Sequence, residues 1–226
     1  MALLFNEEQQ YLKDTAKDFV QKNAPINHFR LLRDSENEVG YSKDLWKQMA
    51  ELGWAGILIS EEYGGSDFGM LGLGAILEET GRCLVPSPLF STALLGASLI
   101  EIGGSRDQKK DLLTKIAQGS LTTAFALEEG SRHAPNIIST KSEKKGGGYI
   151  LNGEKTFVLD GHSADLLIIT ARTSGKKEDN SGISLFLTDP DSKGLTRNRT
   201  LMVDSRNACE INLKDVQVPE SNLLGE

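Results

Sequence analysis

The sequence is poor in the residues that build metal sites and disulfide frameworks. It has two cysteines and three histidines in 226 residues. Cys83 and Cys209 lie far apart, the histidines are dispersed, and neither set has the spacing of metal ligands. We therefore predict no metal site. Two distant, unpaired thiols fit a reducing compartment, which predicts a cytoplasmic protein.

Positive charge and long apolar runs are also scarce. The net charge of −7 argues against a nucleic-acid partner, whose phosphates require a basic face. No run approaches the roughly 18 apolar residues that would span a membrane. The first residues lack the basic stretch and apolar core of a signal peptide. These absences leave a globular protein, large enough for one or two domains.

The first half of the chain carries helix signals. Asn6 with Gln9, and Ser105 with Gln108, have the spacing of capping boxes. Ser42 and Asp67 are candidate N-caps of two further helices. The apolar positions predicted to face inward, at helical spacing, are Leu12, Ala16, Phe19, Val20, Leu45, Trp46, Met49, Leu52, Leu71, Ala75, Leu77, Leu112, Leu113 and Ile116. An apolar helix is predicted over 89–102.

After Gly119 the pattern changes to short β-rich runs separated by turn residues. The predicted strands are 121–127, 137–142, 149–151, 155–159, 166–172, 183–188, 195–198 and 209–218. Asn152-Gly153 predicts a two-residue hairpin, and Asp160-Gly161 predicts a second turn. Helices followed by strands, with no β-α-β alternation, predict an α+β protein. We expect an all-helical domain at 1–118 and an antiparallel β-barrel or sandwich domain at 119–226.

No catalytic constellation is evident from residue types and spacing alone. Gly72-Leu-Gly74 lacks the third glycine and the preceding strand of a dinucleotide loop, so helix packing explains it better. No serine lies in a G-x-S-x-G turn. Function must therefore be inferred from a wider pattern.

That wider pattern resembles the acyl-CoA dehydrogenase family along the whole chain. The motifs that carry the resemblance are Leu52-Gly-Trp54, Tyr63-Gly-Gly65, Leu151-Asn-Gly-Glu-Lys155, Ala164-Asp165, Ala171-Arg-Thr173, Val218-Pro219 and Asn222-Leu-Leu-Gly-Glu226. The resemblance implies the family's helical N-terminal and β-rich middle domains, without its C-terminal helical domain. The catalytic carboxylate would then lie beyond Glu226, no catalytic residue lies in this chain, and the chain alone would be inactive.

The resemblance also implies a flavin site, in which this sequence departs from the family. Leu127 stands where a threonine bonds the flavin, Leu159 replaces a second hydroxyl residue, and Phe157 replaces a stacking tryptophan. With Phe125, these residues are the predicted FAD contacts. An alternative is that Leu127, Phe157 and Leu159 simply fill the core of a barrel. Phe90, Leu94 and His133 are the predicted substrate contacts; for Phe90 and Leu94, plain helix packing is the alternative.

The resemblance implies oxidation of an acyl-CoA to the 2-enoyl-CoA with FAD as the hydride acceptor. Its implied partners are acyl-CoA dehydrogenase subunits, in a homo- or hetero-oligomer, and an electron-transfer acceptor protein. The altered flavin pattern is similar to the small subunits of pimeloyl-CoA-dehydrogenase-type enzymes. Two alternatives remain: a non-catalytic structural partner in a heteromeric dehydrogenase, and a free-standing β-sandwich binding module.

Overall fold

The structure, a computed structural model, describes residues 4–225 and divides into two compact units. The helical unit holds the described residues up to Glu101 together with Lys110–Ser120. The β unit holds Ile102–Lys109 and the described residues from Leu121 onward. Each unit has its own hydrophobic core.

Seven α-helices lie in the described part of the chain. They are α1 (Glu7–Asn23), α2 (Ile26–Asp34), α3 (Lys43–Glu51), α4 (Gly69–Arg82), α5 (Ala97–Gly103), α6 (Arg106–Gln108) and α7 (Thr114–Ala117). Glu61–Tyr63 forms a 3-10 turn, and Leu89–Gly96 and Lys109–Leu113 are wound as π-helix.

Local capping chemistry explains several helix starts. Asn6 and Ser105 each form the predicted reciprocal capping box, and the Ser42 side chain accepts from the Leu45 amide. The prediction for Asp67 is wrong, because α4 begins two residues later and has no side-chain cap. Helix α2 was not predicted; none of its residues is buried, so its sequence carries little inward-facing signal.

The core of the helical unit contains most of the predicted inward residues. Trp46, Met49 and Trp54 are buried there with Leu73 and Ile76. Leu52 and Leu71 are exposed instead, so their predicted burial is wrong. Leu52 caps the end of α3 rather than lying within it. Leu71 lies about 200° around α4 from Leu73, which turns it away from the core.

Eight strands form one sheet in the described part of the β unit. They are β1 (Thr123–Ala126), β2 (Lys141–Lys145), β3 (Gly148–Leu159), β4 (Leu166–Arg172), β5 (Ile183–Thr188), β6 (Leu195–Leu201), β7 (Asn207–Pro219) and β8 (Leu223–Leu224). The predicted strands 166–172 and 183–188 coincide with β4 and β5. The predicted strand 137–142 overlaps β2 only at its end.

The sheet is mixed and open, which corrects the predicted antiparallel barrel. Its order is β6-β7-β3-β2-β4-β5-β8, with β1 paired to β4 beside this path. Most pairs are antiparallel, but β1 and β2 run parallel to β4. A closed barrel would require the outer strands β6 and β8 to pair. No such pairing occurs among the described residues.

The predicted hairpin at Asn152-Gly153 is also wrong. These residues lie inside β3, at a bulge opposite β7, where Asn152 exchanges hydrogen bonds with Asp215. The turn that joins β2 to β3 is Gly146-Gly147, with φ of +62° and +82°. Two consecutive positive φ values define a primed two-residue turn, which glycine adopts without strain. The other predicted turn, Asp160-Gly161, follows the end of β3 as expected.

None of the described helices is long and apolar enough to cross a membrane.

Candidate functional site

Strand β1 and the residue after it present two of the predicted site residues to the outside of the β unit. Ala124 and Ala126 are fully buried in its core. Phe125 and Leu127 alternate with them and are only partly buried. Because successive side chains of a strand point to opposite faces, Phe125 and Leu127 face away from this core.

The end of β3 presents the other two. Val158 is buried in the same core. Of its two neighbours, Phe157 is exposed and Leu159 is partly buried. Leu159 is paired with Ala208 of β7. We call Phe125, Leu127, Phe157 and Leu159 the apolar patch. Phe157 is 57% exposed, so the alternative that it fills the core of the β unit is wrong.

Phe157 is held in an unusual backbone conformation. A bulge lies between Lys155 and Val158 in the pairing of β3 with β7, and Phe157 has φ of +51° within it. For a bulky residue, this left-handed conformation costs of order 1–3 kcal/mol and persists only where the surroundings enforce it. An exposed aromatic ring on a strained backbone is unusual for a packing residue and typical of a binding surface.

The loop 127–130 runs beside this bulge, and each of its residues is bonded to Lys155 or Thr156. The Lys155 ammonium donates to the Leu127 carbonyl at 3.4 Å and to the Glu129 carboxylate at 2.6 Å. The Thr156 amide donates to the Glu128 carbonyl, at 2.7 Å. The Thr156 hydroxyl donates to the carbonyl of Gly130, at 3.1 Å. These bonds bring the two halves of the apolar patch together.

Lys155 is the most unusual charged group of the unit. Its side chain is fully buried, and its third hydrogen bond goes to the Thr170 hydroxyl at 2.7 Å. Burial lowers the pKa of Lys155 from its ordinary value to about 8, although Glu129 acts in the opposite direction.

Glu129 is the counter-ion, and its carboxylate also orders the chain ahead of β2. It accepts from the amides of Ser139 and Thr140 as well as from Lys155. Burial acts to raise the pKa of Glu129, but the hydrogen bonds from Lys155 and Thr140 outweigh it, and the net pKa is lowered. Glu129 is therefore a carboxylate with a reduced tendency to take up a proton.

Glu128 binds the predicted substrate residue His133. The two side chains approach to 2.6 Å, and the second carboxylate oxygen accepts from the Ala134 amide. His133 itself is largely exposed, on the turn that follows loop 127–130. Glu128 thus fixes this turn and has both oxygens engaged.

The remaining predicted contacts lie in the helical unit. Phe90 and Leu94 belong to the π-helical segment Leu89–Gly96. Phe90 is 43% exposed, while Leu94 packs partly buried against the core of that unit. Their predicted role in binding substrate stays a prediction.

Sequence reasoning did not identify the Lys155–Glu129 pair. The available signal was a lysine in a β-rich run, three residues before a core valine, but its partner lies 26 residues earlier. As for metals, no group of three or more candidate ligands comes together within residues 4–225.

Two family models match consecutive parts of this chain. Residues 6–120 match the N-terminal domain of acyl-CoA dehydrogenases, and residues 124–216 match the middle domain. A curated relative, a probable acyl-CoA dehydrogenase of Bacillus subtilis, is 33% identical over 231 residues. That alignment covers 97% of this chain and 58% of the relative.

Solved structures share the fold over essentially the whole chain. An acyl-CoA dehydrogenase from Geobacillus kaustophilus has a TM-score of 0.86 at 29% identity, covering 100% of this chain and 60% of that one. A glutaryl-CoA dehydrogenase from Mycobacterium smegmatis, solved in complex with FADH2, has a TM-score of 0.82 at 23% identity. The alignment covers 98% of this chain and 56% of that one. The chain thus spans a little over half the length of these proteins.

Proposed function

Since the chain belongs to the acyl-CoA dehydrogenase family, we propose that it forms the flavin-facing wall of an enzyme that oxidises an acyl-CoA to the 2-enoyl-CoA. The observation that carries this proposal is the exposed aromatic ring of Phe157, a member of the apolar patch whose backbone is held in a left-handed conformation. The FADH2 complex of a protein with the same fold supports the choice of FAD.

The apolar patch fits the face of an isoalloxazine ring. Phe157 would offer an aromatic surface for offset stacking, and Leu127 and Leu159 would add aliphatic contact. FAD, when bound there, would supply the hydride acceptor of the reaction. The patch residues orient the ring and exclude water from one face. They offer no side-chain donor, so hydrogen bonds to the ring edge must come from backbone groups or from residues outside the patch.

Glu128 and Glu129, the two carboxylates of loop 127–130, are poorly suited to remove the α-proton of a substrate. Both oxygens of Glu128 are engaged by His133 and Ala134, and Glu129 is paired with Lys155. A general base must be free to take a proton, and the lowered pKa of Glu129 opposes this. Neither is therefore our candidate for the base; as the family resemblance implies, we propose that the base lies outside this chain and expect the chain alone to be inactive.

Dye-reduction assays of the 226-residue chain, across acyl-CoA lengths, test that expectation. The reaction with free FAD and no protein is the blank. Turnover above the blank would show that a base exists within this chain.

Phe157→Ala tests the flavin wall directly. Loss of a stacking contact worth about 0.5–1.5 kcal/mol should weaken flavin affinity roughly 2- to 13-fold. Fluorescence quenching of added flavin measures the affinity. Tyr11→Ala, which removes an exposed aromatic ring from the helical unit, is the matched control and should change nothing. Equal affinity for Phe157→Ala and wild type would exclude Phe157 from the flavin contact.

A second candidate function is that of a non-catalytic structural partner in a heteromeric dehydrogenase. The absence of hydroxyl side chains at Leu127 and Leu159 favours it, because the patch then lacks the ring-edge bonds implied for the family. Purified protein distinguishes the two: flavin absorbance, or saturable flavin binding, supports the enzyme. A colourless protein that does not bind flavin supports the partner.

The remaining assignments rest on family membership. We propose that Phe90, Leu94 and His133 contact the acyl-CoA, that the chain assembles with acyl-CoA dehydrogenase subunits, and that an electron-transfer protein reoxidises the flavin. Phe90→Ala should weaken acyl-CoA binding, while Ile102→Ala, at an 85% exposed side chain, serves as the control. Equal binding by both variants would remove Phe90 from the substrate site.

A further inference from the structure

We propose that Lys155 and Glu129 are positioning residues, whose buried ion pair sets loop 127–130 against the Phe157 bulge and so shapes the apolar patch. The identity of the ligand at the patch rests on the function proposed above. The positioning itself is a property of the chain and can be measured without a ligand.

The geometry of Lys155 suits this role. Its ammonium group has three protons, and it has three acceptors: the Glu129 carboxylate, the Thr170 hydroxyl and the Leu127 carbonyl. Thr170 lies on β4, in the body of the sheet, whereas the other two acceptors lie on the loop. Lys155 therefore ties the loop to the sheet at the residue where the bulge begins.

Glu129 extends the connection to the opposite side of the loop. Its carboxylate accepts from the amides of Ser139 and Thr140, so the loop is anchored between β3 and the segment entering β2. Thr156 contributes two further bonds to Glu128 and Gly130. With both ends of the contact fixed, Leu127 and Phe157 keep one relative position.

Stability alone is a poor explanation for the pair. Desolvating two charges costs nearly as much as their attraction returns, and apolar replacement of a whole buried pair is often neutral or stabilising. A geometric role explains why this connection is made by charged, directional hydrogen bonds. The two roles can be separated by experiment. Replacing both residues of the pair can restore the stability of the protein without restoring the position of loop 127–130.

The test compares Lys155→Met, Glu129→Gln and the double variant with wild type. Lys13→Met, which removes a lysine paired with Glu78 on the helical unit, is the matched control. Thermal midpoints report stability. Hydrogen–deuterium exchange of flavin-free protein reports the order of the loop and of the Thr156 amide, with residues 183–188 as internal reference. Flavin titration measures the affinity of the apolar patch for flavin.

Each single variant should lower the midpoint, and the double variant should recover most of it. In the double variant, exchange over 127–130 and at Thr156 should still rise at least 10-fold, with the reference unchanged, and flavin affinity should stay weakened by an amount within the roughly 2- to 13-fold range expected for Phe157→Ala. Recovery of exchange and affinity together with the midpoint would reduce the pair to a stability element and overturn the proposal.

The outcomes also separate this proposal from the proposed function. Wild-type protein that fails to bind flavin, while the loop exchanges faster in the double variant, defeats the flavin assignment and supports the positioning role. Flavin binding that depends on Phe157, with unchanged exchange and affinity in the double variant, supports the flavin assignment and defeats the positioning role.

Discussion

At the scale of single residues, two unusual features of the β unit lie at or next to the apolar patch. Phe157 has a left-handed backbone, and Lys155, two residues earlier, is a fully buried cation. Each feature is unfavourable alone, and each persists because the surrounding sheet enforces it. Their proximity to an exposed aromatic ring indicates a surface built for contact rather than a core built for stability.

The buried cation predicts how stability depends on pH. The folded-state pKa of Lys155, about 8, lies below the 10.5 expected for the unfolded chain. Between these values the unfolded state holds more protons at this lysine, so the contribution of Lys155 to the free energy of unfolding should rise with pH through this window. Denaturation of wild type and of Lys155→Met/Glu129→Gln at pH 7.5 and 9.5 measures it. From pH 7.5 to 9.5, the free energy of unfolding of wild type should increase relative to that of the variant. An equal response of both proteins would contradict the lowered pKa.

Gly153 is required by close packing rather than by a turn. An added Cβ would lie 2.5 Å from the Thr140 hydroxyl and 2.7 Å from its Cα. Gly153→Val should therefore cost more than ~1 kcal/mol of unfolding free energy, as overpacking does. Gly74→Ala is the control, because open space surrounds that helical glycine and the change should be neutral or stabilising. Urea midpoints decide; an unchanged midpoint for Gly153→Val would show that Thr140 can move aside.

At the scale of elements, the sequence predicted correctly those features that depend on residues close together in the chain. The capping boxes that start at Asn6 and Ser105 span four residues each and formed as predicted. Asn152-Gly153 has an equally strong local signal, yet it lies within β3 because Asn152 bonds Asp215 on another strand. The Lys155–Glu129 pair was not predicted for the same reason, since sequence spacing does not show which distant residues are in contact.

The turn between β2 and β3 gives a test at this scale. Gly146 and Gly147 have open space around them, so only the backbone conformation restricts replacement. Gly146→Asn creates Asn-Gly, the preferred primed turn, and should leave stability within about 0.5 kcal/mol of wild type. Gly147→Val should cost more than about 1 kcal/mol, because a β-branched residue is strained at positive φ. Chemical denaturation compares them, and equal midpoints would contradict the turn assignment.

At the scale of the whole molecule, the chain forms two units with separate cores and matches the N-terminal and middle domain models of the acyl-CoA dehydrogenase family. Family membership accounts for the fold. It does not decide whether this chain uses flavin, because Leu127 and Leu159 offer no hydroxyl to the ring. The choice between enzyme and structural partner therefore depends on what these two leucines face.

Restoring threonine at both positions answers that question. If the flavin ring lies against the apolar patch, Leu127→Thr/Leu159→Thr should recover up to two hydrogen bonds, together worth about 1–3 kcal/mol, or about 5- to 150-fold in affinity. If the leucines only pack against protein, the same change leaves two hydroxyls without partners, which lowers stability and does not improve flavin binding. Flavin titration and thermal melts of both proteins separate the outcomes. Leu201→Thr, at an 85% exposed leucine, controls for the substitution itself. A less stable double variant with no gain in affinity would reject the flavin wall and favour the structural partner.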